Sequence, residues 1–137
     1  MLRLTFTILL LVPVATLFAE INPMYYREMQ EKAPERLRIR PTDVSRDWYF
    51  WRRTRKVKVE AEVISVVKSA AGLSKGNKVY FEYETYEPEQ GWAGPRPMPL
   101  LEEGVECDFF GEKTGVNKKK GVVLEPGARG YSFDSLL

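Results

Sequence analysis

A chain of 137 residues that is 44% hydrophobic, 29% charged and 12% aromatic has the composition of a single globular domain, with a formal net charge of +2. With no histidine and one cysteine it contains no Cys/His zinc site, no internal disulfide framework and no histidine-dependent catalytic triad. Most familiar hydrolase chemistry is excluded with them.

The chain begins with Met1-Leu2-Arg3, and Leu4 to Ala19 then runs without a charge. One positive charge, an apolar run and a small residue before Glu20 form the pattern of a secretory signal peptide, with Ala19 as the best cleavage position. The apolar run is shorter than the roughly 20 residues of a spanning helix and contains Pro13, so a cleaved signal is expected and a membrane anchor only if cleavage fails. The protein is therefore expected to be secreted or periplasmic, and soluble once residues 1–19 are removed.

Residues 20–56 read as an N-terminal arm. Asn22-Pro23 is an N-cap followed by proline at the first helical position, and Ile21, Tyr25 and Met29 recur at a spacing of four, so a short helix is predicted over 23–32, ended by Pro34. From Arg36 to Pro41 arginines alternate with apolar residues, and the stretch to Asp47 reads as an extended connector. Trp48-Tyr49-Phe50-Trp51 then runs directly into Arg52-Arg53-Thr54-Arg55-Lys56. Residues 20–58 hold 11 Lys and Arg against 6 Asp and Glu, whereas residues 59–137 hold 9 against 13. The favoured reading is that the basic segment docks on the acidic body of its own domain; presentation to an anionic partner is the competing one.

From Val57 the pattern has period two. Val57 to Val63 alternates, and the phase break at Ile64-Ser65-Val66-Val67 predicts a bulge in a long strand. After a turn-rich loop at Ser69–Asn77, Val79, Phe81, Tyr83 and Thr85 form the apolar face of a second strand, making a hairpin. Residues 87–104 hold four prolines and three glycines and read as a long irregular loop. A third strand is predicted over Val105–Glu112, with Val105, Cys107 and Phe109 on one face and Cys107 as a buried structural thiol. A Lys-rich turn at Asn117–Gly121, a fourth strand at Val122–Glu125 and a last short element around Tyr131–Phe133 follow. The fold class is therefore mainly β: a five-stranded OB-like barrel over residues 57–137, with residues 20–56 as a helical and extended arm lying against it through Trp48 and Trp51.

Val57–Val63, Gly72-Leu73 with Gly76, Gly91-Trp92 with Gly94-Pro95, Leu100-Leu101 with Gly104, and the closing Pro126–Phe133 segment together resemble small uncharacterised exported bacterial proteins. The resemblance spans about 80 residues by turn and strand pattern, leaves residues 20–56 uncovered, and implies a barrel similar to the netrin and metalloproteinase-inhibitor modules. Those modules are usually disulfide-stapled, and the inhibitors use an N-terminal cysteine. Cys107 is the only cysteine here, so inhibition is not carried over.

Ser65-Val66-Val67-Lys68 and Lys113-Thr114-Gly115 match two short signatures of penicillin-recognising serine enzymes, but serine and lysine three apart on a strand point to opposite faces, so the match reads as chance. Glu60, Glu62, Glu82 and Glu84 alternate with the apolar face, as a solvated strand surface does, and Lys58 beside them suggests ordinary surface pairing. No catalytic residue, metal ligand or cofactor is assigned. The binding residues expected are Trp92, an indole on a Gly- and Pro-rich loop, and its nearest charged neighbour Arg96. Capping of the barrel by Trp92 is the competing reading.

The function expected is that of a non-catalytic binding or interaction module of the cell envelope, and not an enzyme; the alternative is a small hydrolase using carboxylates such as Glu62, or Ser65. Expected partners are an envelope protein, peptide or polysaccharide and not nucleic acid, with the protein a monomer. Intact-mass measurement checks the export reading: the exported protein should begin at Glu20, and retention of Met1 or Leu2 would refute cleavage.

Overall fold

The computed structural model describes residues 22–47, 53–88, 90–91 and 94–137. The expectations placed on residues 1–19, on Trp48 and Trp51, and on Trp92 lie outside the described residues.

Helix α1 spans Pro23–Lys32. The Asn22 side chain accepts a hydrogen bond from the Met24 amide at 3.1 Å and Pro23 occupies the first turn, as the sequence predicts. Only part of the predicted stripe packs: Met29 is half-buried against the barrel, and Tyr25 is not. Tyr25 is 46% exposed, whereas Tyr26 and Gln30 are buried. Gln30 explains the difference: its Nε2 donates to the carbonyls of Tyr131 and Ser135, and its Oε1 accepts from the Leu137 amide at 2.9 Å. A polar side chain anchors this helix, and apolar spacing does not mark such a residue.

Five strands follow: β1 Glu35–Arg46, β2 Thr54–Ser69, β3 Lys78–Tyr86, β4 Cys107–Asn117 and β5 Gly121–Pro126. They close in the order β1-β2-β3-β5-β4, with β4 returning to β1. Only the β3–β5 pair is parallel. The molecule is a mainly β, OB-like five-stranded barrel with a short helix on its N-terminal side, as expected.

Two elements differ from the sequence reading. The segment read as an extended connector is β1, so the barrel begins at Glu35 and not at Val57. Leu37, Ile39 and Pro41 face the interior while Arg36, Arg38 and Arg40 face outward, which is strand alternation with arginine on the solvent side. The element around Tyr131 is not a strand but a 3-10 turn at Arg129–Tyr131. Its carbonyls and amides are held locally, since Ser132 Oγ accepts from the Ala128 amide at 3.0 Å and donates to the Arg129 carbonyl at 2.7 Å. The turn delivers Phe133 to the barrel, where it lies 5.5 Å from the Phe81 ring and 5.2 Å from Tyr83.

The β2–β3 hairpin follows the predicted pattern. Val57, Val59, Ala61 and Val63 are buried, and so are Val79, Phe81, Tyr83 and Thr85. The predicted phase break is a bulge: Ile39 pairs with Val63 and Arg38 with Ser65, leaving Ile64 extra, and a second shift leaves Val67 extra. Cys107 packs against the core at the start of β4 and Phe109 is fully buried, whereas Val105 precedes the strand and is exposed. Phe110, on the opposite side of β4, joins Ala33, Ala128 and Met29 in the small cluster beneath α1.

Because β1 is a barrel stave, Ile39→Ala should lower unfolding free energy by about 2–5 kcal/mol in denaturant titration. A chain starting at residue 54 should show no cooperative thermal transition. Retained cooperativity would mean that β1 is dispensable.

Candidate ligand groove

The basic N-terminal segment does meet the acidic body. Arg38 lies 3.1 Å from Asp108, Arg40 lies 2.8 Å from Glu106, Arg55 lies 3.6 Å from Glu87 and Lys56 lies 3.1 Å from Glu82. Most of these contacts come from the strand alternation itself, since β1 places its arginines beside β4 and β2 places Lys56 beside β3.

On the outer face of β2 and β3, the Tyr80 hydroxyl donates to Glu82, which also receives Lys56. The Tyr80 hydrogen bond, and then Lys56, hold the Glu82 carboxyl below its ordinary range. Burial, and then Glu82, push the Tyr80 phenol up to about 12. Lys120 lies over the Tyr80 ring at 4.4 Å and reaches Glu60 at 4.0 Å. The carboxylates thus pair across the surface, through Lys56 and Lys120, with Lys58 opposite Glu82 in the β2–β3 ladder.

Beside this cluster a groove of about 340 Å³ opens, lined by Thr42, Glu60, Glu62, Lys78, Lys119 and Lys120 among others. Two turns set its walls. In the β4–β5 turn, Asn117 Oδ1 accepts from the amides of Lys119 at 2.9 Å and Lys120 at 3.1 Å. Gly121 follows at φ 95°, and a Cβ there would lie 2.2 Å from the Lys78 carbonyl oxygen. Only glycine allows that approach, which brings the lysine turn against the start of β3. In the β2–β3 loop, Asn77 Oδ1 accepts from the Ser74 amide at 2.8 Å, while the Val63 amide donates to the Asn77 carbonyl at 2.9 Å. Thr42 is the bulged residue of β1 and donates to the Glu60 carbonyl at 3.1 Å. Unlike Arg38, Arg40 and Lys56, the side chains of Lys75, Lys78, Lys118 and Lys119 make no ion pair among the described residues.

Of the two binding residues expected from the sequence, Trp92 lies outside the described residues, and Arg96 does not line this groove. Arg96 spans both carboxylate oxygens of Asp134, at 2.5 and 3.2 Å, and its guanidinium lies 4.9 Å from the Tyr131 ring. It clamps the proline-rich segment to the C-terminal segment. Near the base of that segment a smaller cleft of about 150 Å³ is lined by Tyr86, Pro88, Met98 and Leu100 with Arg55 and Thr85. Ser65 pairs with Arg38 in the β1–β2 ladder, while Lys68 Nζ donates to the Glu31 carbonyl at 3.0 Å.

The Cys107 thiol is pushed up to about 12, chiefly by burial. Among the described residues no group of three or more His, Cys, Asp and Glu side chains converges to hold a metal ion. No helix among them is long and apolar enough to cross a membrane. The groove's one sequence signal was the lysine run itself, which reads only as a turn until the fold shows what lies beside it.

A carboxylate with a depressed native pKa adds stability above its unfolded pKa and loses that contribution as pH falls through the native value. The Glu82 carboxyl should therefore titrate below the usual glutamate value of about 4.3 in carbon-detected NMR. Tyr80→Phe should move it upward, and an unmoved midpoint would remove the hydroxyl as its main cause.

Comparison with known proteins finds no matching family model, no matching curated protein and no matching solved structure.

Proposed function

We propose that the protein is an exported, non-catalytic binding module of the cell envelope, secreted or periplasmic, and that it takes its ligand in the groove between the β2–β3 loop and the β4–β5 turn. The barrel interior is occupied by Phe81, Phe109 and Phe133, so a ligand must be met on the outside. The observation that carries the reading is the groove itself, whose flanking turns are ordered by Asn77 and Asn117 while Lys75, Lys78, Lys118 and Lys119 stay exposed. Preordered backbone lowers the entropy lost on binding. Expected partners remain an envelope protein, a peptide or a polysaccharide.

The test is capture from envelope extract by the purified protein. Lys78→Glu/Lys119→Glu should abolish capture and leave the melting temperature within a few degrees, because both side chains are exposed and make no ion pair among the described residues. Unimpaired capture would move the site elsewhere, with the cleft beside Met98 and Leu100 as the next surface to vary. Hydrolytic turnover lost on Glu62→Gln would replace this reading with an enzymatic one.

A further inference from the structure

We propose that the groove's ligand is a base-free polyanionic chain, such as one carrying phosphate groups along a flexible backbone; this rests on the binding-module reading above. Three lysines, Lys78, Lys119 and Lys120, line the groove against two carboxylates, Glu60 and Glu62. Lys75 and Lys118 extend the same positive sign along the two flanking turns. Arg38, Arg40 and Lys56 lie beside carboxylates, and in the groove Lys120 reaches Glu60 at 4.0 Å, whereas Lys78 and Lys119 make no ion pair among the described residues. Here one end of the barrel gathers cations from two segments of the chain, residues 75–78 and 118–120, and the close approach at Gly121 forces those segments together. Like charges held near one another cost stability, and an anion that crosses the groove relieves that cost.

The chemistry of the floor separates polyanions from one another. Proteins that hold single-stranded nucleic acid by an OB barrel stack bases on exposed aromatic rings. The aromatic ring beside this groove, Tyr80, is 8% exposed, lies beneath Lys120 and has its hydroxyl engaged by Glu82. Among the described residues a base finds no free ring there, whereas a charged backbone finds lysines on both walls. The concave shape favours a linear chain over a flat lipid surface.

Binding of inorganic polyphosphate, of oligo(dT) and of phosphatidylglycerol vesicles should be measured on the purified protein across a salt series. Each lysine that displaces one counterion contributes a slope of about 0.7–0.9 in log affinity against log salt, or roughly five- to eightfold at 0.1 M salt. Lys78→Gln/Lys119→Gln/Lys120→Gln should therefore weaken polyphosphate binding by about one hundred- to five-hundredfold and reduce the slope by about 2–3. Unchanged circular dichroism and melting would show that the variant is folded. Tighter binding of oligo(dT) than of polyphosphate at equal charge overturns the assignment in favour of a nucleic acid. Vesicle binding without polyphosphate binding overturns it in favour of a membrane surface. Capture of an envelope component that needs the groove, with no polyphosphate binding, overturns the polyanion and leaves the binding module standing. Loss of both overturns both.

Discussion

Closure of the barrel depends on one strand being paired along both edges. β1 takes β2 on one side and the first part of β4 on the other, and without it both neighbours would present open edges and Phe109 would lose its cover. The strand is fixed at its first residue by a charge: Glu35 is fully buried, and its carboxylate accepts from Ser69 Oγ at 2.5 Å and from the Ala71 amide at 2.7 Å. Ser69 Oγ in turn accepts from the Leu73 amide at 2.9 Å. A carboxylate taken from water is tolerated only when its oxygens are satisfied in this way. The end of β2 and the loop that follows it are thus held by the residue that opens β1.

The same strand shapes the groove. Pairing of β1 with the longer β2 needs three register shifts, and the one nearest the groove ejects Thr42 toward its wall. Arginine is used where planar groups meet carboxylates across β1 and β4, and lysine where side chains stand in water beside the groove. The division follows the chemistry of the two cations: the guanidinium suits a fixed partner, and the ammonium, strongly hydrated on a flexible stem, suits a partner that comes and goes.

The β2–β3 hairpin was legible because Val57 to Val63 alternates without interruption and Val79, Phe81, Tyr83 and Thr85 share one buried face, Tyr80 being buried from the other, and the bulge at Ile64 shows as a slip in the alternation of β2. The start of α1 was legible because Asn22-Pro23 is a local device needing no tertiary partner. β1 was misread although Leu37, Ile39 and Pro41 alternate as regularly as β2, because arginine at every second position and a proline within the run resemble a solvated linker. Tyr131-Ser132-Phe133 erred in the opposite direction, since a turn that inserts one aromatic ring gives a short alternation of its own. At the site, Arg96 read as an available cation because Asp134 lies 38 positions away, and the lysine turn read as a turn because Lys78 and Gly76 are brought to it only by the barrel.

The Gln30 amide binds the backbone at Tyr131, Ser135 and Leu137, so the first helix of the barrel is completed by its last residues. β1 likewise waits for residues 107–111. A polypeptide delivered from its N-terminus can assemble the β1–β2–β3 meander early, but the buried face of the helix and the free edge of β1 gain their partners only when the final third has arrived. Loop-closure entropy is paid before those contacts reward it, so the contacts that close this barrel are the ones that cost most to form.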